Sequence, residues 1–225
     1  MRAVQWLSFW IFLLLLALLP FFFAELMAAS LAKLHLSPAA AVALVIGMML
    51  GGMINIPVAR IRREDQSVIH PLAVFGLENF FPQLGRVSRE MVIAVNVGGC
   101  LIPTGLAGYE LIRLLDLDSS VLVALAAACA INIAVCYRVA RPVRGLGIAM
   151  PGLVPALLAA MSAWLLAPEQ AAPVAFIAGV AGPLVGADLL HLKDIRQLGT
   201  GVASIGGAGT FDGIVLSGIV AAYLA

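Results

Sequence analysis

The residues with the clearest chemical potential are two acids in an otherwise apolar chain. Asp188 stands in "GPLVGADLLHLKDI" (182–195) and Asp212 in "SIGGAGTFDGIVLSGIVAAYLA" (204–225). Both fall well inside stretches apolar enough to cross a bilayer. An ionisable side chain there is costly, so it faces a bundle interior or a cavity and marks function. A carboxyl in low dielectric favours its neutral form, which suits a proton carrier or a general acid. His191, three residues after Asp188, shares its helix face, so a hydrogen bond between the two is sterically available. The acids lie 24 residues apart on consecutive segments and could meet face to face. Two facing acids that share a proton would be competent to activate water.

Asn55, Asn96 and Asn132 extend the polar set. Counted inward along the drawn helices, these three and Asp188 fall at one level, roughly 7 to 10 Å into the membrane. Two readings stay open: the amides complete a cavity that faces the cytoplasm, or they only join helices. For Asp212 the alternatives are a functional acid or a cap, with Thr210, on a helix that begins inside the protein. The glycines of 199–209 make a continuous helix there uncomfortable, which points to a loop or half-helix entering from the cytoplasm. Gly182, Pro183 and Gly186 loosen the helix just before Asp188. Such interruptions either let membrane helices pack closely or open backbone groups to a ligand.

These residues need a membrane scaffold. Of 225 residues, 63% are hydrophobic and 11% charged, and the mean hydropathy is +1.08. A soluble core that apolar would have nothing left to cover it. The apolar runs predict an all-α, polytopic transmembrane helix bundle of about seven spans: 4–28, 38–60, 90–110, 120–138, 147–167, 172–192 and 198–225. They fill the chain as a single integral membrane domain, 1–225, with broken or re-entrant glycine-rich segments. Glu25, Glu110 and Glu169 fall near span ends. The segment 61–89, with Phe75, Phe80, Phe81 and His70, reads as a surface-lying or re-entrant piece on the cytoplasmic side.

Basic residues orient the bundle. Arg2, Arg60, Arg62, Arg63, Arg86, Arg89, Arg138, Arg141, Arg144, Lys193 and Arg196 fall on one side of the drawn spans, and only Lys33 and Arg113 on the other. The positive-inside rule therefore places the N-terminus in the cytoplasm. The net charge of +1 gives no electrostatic reason to expect nucleic acid. Cys100, Cys129 and Cys136 lie in apolar runs without a CxxC, so they read as small buried hydrophobes. No metal site or cofactor is expected.

The segments "NIPV" at Asn55, "NVGGCLIPTGL" at Asn96, "RPVRGLGIAMPGLVPAL" from Arg141, "GADLLHL" at Asp188 and "IGGAGTFDGI" at Asp212 resemble a family of multi-pass membrane proteins. That family is bacterial and archaeal and is known only as a domain of unknown function. The resemblance runs over nearly the whole chain and implies topology and a bacterial cytoplasmic membrane, but no activity. A second resemblance is to intramembrane aspartyl proteases of the presenilin-like and prepilin-peptidase-like groups, which pair one membrane aspartate with another in GxGD. Here Gly186, Ala187 and Asp188 give G-A-D without the earlier glycine, and Pro155, Ala156 and Leu157 give PAL ahead of both acids, in reversed order.

Three functions follow as expectations. The first is transport of an ion or small solute, with proton coupling as one form of it, through a site of Asn55, Asn96, Asn132, Asp188, His191 and Asp212. The second is an aspartyl peptidase with Asp188 and Asp212 as its catalytic pair, cleaving a membrane-embedded peptide. The third is a non-catalytic assembly protein. The expected partners are the lipid bilayer and that solute, ion or peptide, with a homo-oligomer left open.

Overall fold

Long apolar runs with few charges leave the backbone no partner except itself, and the chain answers with helices. The computed structural model describes residues 2–62, 90–143, 147–195, 202–208 and 212–225. Most of the 61–89 segment, with His70, Phe75, Phe80, Phe81, Arg63, Arg86 and Arg89, lies outside the described residues, as do Arg144, Arg196 and Thr210. Helices α1 (Arg2–Ala32) and α2 (Pro38–Gly51) come first. Ser37 starts α2 by accepting a hydrogen bond from the Ala40 N–H, with Pro38 at the first turn. Then follow α3 (Ile102–Leu115), α4 (Ser119–Val139), α5 (Leu153–Leu166), α6 (Ala171–Ala181), the short α7 (Leu192–Ile195) and α8 (Gly213–Leu224). Two π-helical segments interrupt this series, Val97–Leu101 before α3 and Gly182–Leu189 after α6.

Among the described residues, three helical stretches are long and apolar enough to cross a membrane: Trp6–Ala32, Ser119–Val139 and Pro168–Asp194. Helices α2, α5 and α8 are shorter and equally apolar. A bundle of this composition is a membrane protein. Its centre is α6, buried from Pro173 through Val180 and apolar all round, packed against α8, α5, α4 and α3. Close approach is set by small residues: a Cβ on Gly179 would stand 2.7 Å from the Ser217 carbonyl oxygen and 3.0 Å from the Gly218 Cα. The outermost helix, α1, turns Trp6 through Phe22 outward and joins the bundle through Met27, Ser30 and Leu31. The Ser30 hydroxyl lies 2.8 Å from the Ile219 carbonyl oxygen of α8.

The helical bundle agrees with the apolar runs, but four drawn spans are shorter than expected because strands take their ends. Strand β1 (Asn55–Arg62) pairs antiparallel with β2 (Glu90–Asn96), from Asn55 opposite Asn96 to Arg62 opposite Glu90, with a bulge between Pro57 and Ala59. A hairpin of β3 (Arg141–Val143) and β4 (Gly147–Ala149) links α4 to α5. Strand β5 (Val202–Ile205) lies parallel to β2 on its other side, giving the order β1-β2-β5. Short runs such as "MVIAV" fit a strand as well as a helix by hydropathy, and their β-branched residues favour the strand. Pro57 is accommodated because β1 is an edge.

Candidate functional site at the interrupted helix ends

The interruption after α6 follows from three residues. Pro183 carries no N–H, so the α-helical ladder fails, and the chain widens until Leu190 N–H donates to Val185 O, five residues back. Gly182 and Gly186 let α4 lie directly on this wide turn. A Cβ at Gly182 would be 2.6 Å from Asn132 Nδ2, and one at Gly186 would strike the Ile133 carbonyl and come within 2.8 Å of Cys136 Cβ. Asn132, fully buried, donates to the Ala178 carbonyl at 2.8 Å. Its Oδ1 lies 3.8 Å from the Cys136 sulfur.

His191 holds the same segment from its other end. Its Nδ1 lies 2.9 Å from Ala187 O and 3.1 Å from Gly186 O. Both are acceptors, so Nδ1 carries the hydrogen. The ring packs on Tyr137 of α4 with centroids 4.9 Å apart. The hydrogen bond anticipated between Asp188 and His191 is therefore not made through Nδ1, which serves the backbone.

Asp188, half-buried, is turned toward the segment between β5 and α8, where the Gly206 N–H is directed at its carboxyl. Gly206 has φ +72°, and a Cβ there would lie 2.6 Å from the Gly99 carbonyl carbon and 2.8 Å from Cys100 Cβ. Only glycine fits both demands. Six residues past Gly206, Asp212 is the N-cap of α8: Oδ1 accepts from the Ile214 N–H at 3.0 Å and Oδ2 from the Ala208 N–H at 3.4 Å. The Asp212 charge acts on Asp188, and both acids act on the Cys100 thiol, which is hydrogen-bonded to Thr104. Neither acid makes an ion pair among the described residues.

Beside this pair, the sheet gathers a polar node. Asn96, fully buried, donates through Nδ2 to Gly52 O at 2.8 Å and to Asn55 Oδ1 at 3.0 Å, while its Oδ1 accepts from the Gly99 N–H at 2.7 Å. The Ser204 hydroxyl of β5 donates to the same Asn55 Oδ1. The expected site residues thus fall into three places. Asp188 and Asp212 come together, Asn55 and Asn96 come together on strands rather than helices, and Asn132 and His191 brace the widened turn from behind.

Sequence reasoning read Cys100 only as a small buried hydrophobe and passed over Thr104, Ser204 and Gly206. A signal was present in the echo of "NVGG" (96–99) by "SIGG" (204–207), which mark two parallel strands that each run through paired glycines into a helix. Glu110 was also misplaced: with β2 taking the start of its drawn span, it lies inside α3 and is 2% exposed. Among the described residues no group of three or more His, Cys, Asp or Glu is placed to hold a metal ion.

Residues 49–224 match the family described as Protein of unknown function (DUF1614), and the chain belongs to that family. No curated protein and no solved structure matches it.

Proposed function

We propose that this member of the DUF1614 family is a transporter of an ion or small solute in the bacterial cytoplasmic membrane, with Asp188 and Asp212 as its proton- or cation-binding pair. The observation that carries this reading is that, on separately interrupted segments, the Asp212 charge acts on Asp188 while neither acid has a cationic partner among the described residues. Their partners are backbone N–H groups from Gly206, Ala208 and Ile214. Neighbouring carboxyls so held can keep one proton between them or coordinate a small cation. Interrupted helices around a polar site are the way many transporters expose backbone to a ligand inside a membrane. The basic residues of β1, β3 and α7 favour a cytoplasmic location for this end. Arg141, exposed on β3, would attract an anionic solute.

Purified protein in proteoliposomes under an imposed pH gradient tests this, with a panel of small cations and solutes inside. Solute-dependent dissipation of the gradient is expected, and it is lost in Asp188→Asn and Asp212→Asn. Equal dissipation by both variants would remove the acids from transport.

The adjacency of the two carboxyls also favours a second reading, an intramembrane aspartyl peptidase with Asp188 and Asp212 activating water. Cleavage of a transmembrane peptide that stops in either Asn variant, while the variants remain folded, would select it. Tolerance of Asp188→Ala and Asp212→Ala in every functional assay would instead select an assembly role.

A further inference from the structure

Glu110 is the buried acid that the aspartate pair leaves unused. It lies on the inner face of α3 with Pro103, Leu106, Ala107 and Leu114, and its Oε1 has no hydrogen-bond partner. The helices packed on α3 are α6, α2, α4 and α8. Neither α6 nor α2 contains a titratable side chain. Helix α4 contributes Cys129, Cys136, Tyr137 and Arg138 to the bundle, and α8 contributes Tyr223. On α3 itself stand Tyr109 and Arg113.

Arg113 is the charge that acts on Glu110, yet its guanidinium is exposed and engaged elsewhere. Nη1 donates to His35 O at 3.5 Å and to Tyr109 Oη at 3.4 Å. A carboxylate in such a place would be a buried charge with no donor at Oε1 among the described residues and only an exposed, otherwise engaged guanidinium near it, which the interior of a membrane bundle sustains poorly. A neutral carboxylic acid meets the same surroundings at far lower cost.

We propose that Glu110 is a second proton-binding site, inside the bundle and apart from the aspartate pair. It stands ten residues beyond Cys100, about 15 Å along the helix axis at α-helical rise. Helix α3, which continues from the π segment bearing Cys100, therefore carries Glu110 away from the aspartates. A role as a station for protons that enter at Asp188 and Asp212 rests on the transport reading; the proton-binding site itself does not.

Infrared spectra of the purified full-length protein, taken across pH in H2O and D2O, test the inference. A protonated-carboxyl C=O band is expected that grows as pH falls, shifts on deuteration, disappears in Glu110→Gln and survives in the Asp188→Asn, Asp212→Asn double variant. A set of carboxyl bands unchanged by Glu110→Gln would overturn it. So would a Glu110 band that stays constant between about pH 5 and pH 9, a range that spans the usual titration of perturbed carboxyls. Glu110→Leu serves as a second variant and is expected to fold, because Oε1 makes no hydrogen bond to lose. If both substitutions unfold the protein, Glu110 has an obligatory structural partner and the proposal falls. Loss of the band in Glu110→Gln, combined with no proton flux in wild-type proteoliposomes, would leave the site standing and remove the transport reading.

Discussion

Asp212 does two things with one carboxyl, and they are separable by substitution. It caps α8 through the Ile214 and Ala208 N–H groups, and it places an acid beside Asp188. Asparagine retains the cap acceptor and alanine does not, so Asp212→Asn is expected to stay within about 0.5 kcal/mol of wild type and Asp212→Ala to lose about 1 kcal/mol. Transport should fail in both. Thermal unfolding in detergent, paired with proteoliposome uptake, reads the two effects independently. Asn96→Ala severs bonds to Gly52, Asn55 and Gly99, for a loss of roughly 2 to 3 kcal/mol at about 1 kcal/mol each. Asn132→Ala severs one short bond, to Ala178, and a long, weak one from the Cys136 thiol, and should cost only about 1 kcal/mol in the same unfolding assay. At this scale the sequence was informative about residue type: an Asp or Asn in an apolar run had to be partnered. It could not say with what. Asn132 and His191 turned out to bond backbone carbonyls just before and within the widened turn, a geometry that side-chain spacing on an ideal helix does not contain.

At the scale of elements, the site is made by breaks, and glycine makes the breaks possible. Gly98 lies directly against the end of α2, where any Cβ would strike Met48 O and Gly52 N, and Gly186 lies against Ile133 O. Gly105, one turn into α3, has open space around it. Alanine at 98 or 186 is therefore expected to destabilise by about 1 to 3 kcal/mol through overpacking, whereas alanine at 105 should be neutral or gain up to about 1 kcal/mol of helix propensity. Equal melting temperatures for Gly186→Ala and Gly105→Ala would show that α4 does not press on the π segment. The glycine-rich approach to Asp212 was legible, because so many glycines in one span argue against continuous helix. The strands were not. Runs of five to eight apolar residues carry no periodicity that separates a strand from a buried helix, and the pairing of β2 with β5 joins positions about 110 residues apart.

The whole molecule is a helical membrane bundle. Composition and charge distribution carried this much directly, since few soluble arrangements could cover so apolar a chain. The surface has a consequence that can be measured. Trp6, Trp10 and Trp164 are each more than half exposed, on α1 and α5, and face outward from the core. Brominated lipid chains should quench most of the tryptophan fluorescence of the reconstituted protein, and fluorescence unchanged by bromolipid would mean that α1 and α5 are covered by protein. The most direct test of the aspartate pair is the charge-displacement current that follows a pH jump applied to proteoliposomes on a solid-supported membrane. That current registers proton binding without requiring the solute to be known. A transient current is expected for wild type, largely lost in Asp188→Asn and in Asp212→Asn. A full-sized transient in both variants would contradict proton binding at this pair.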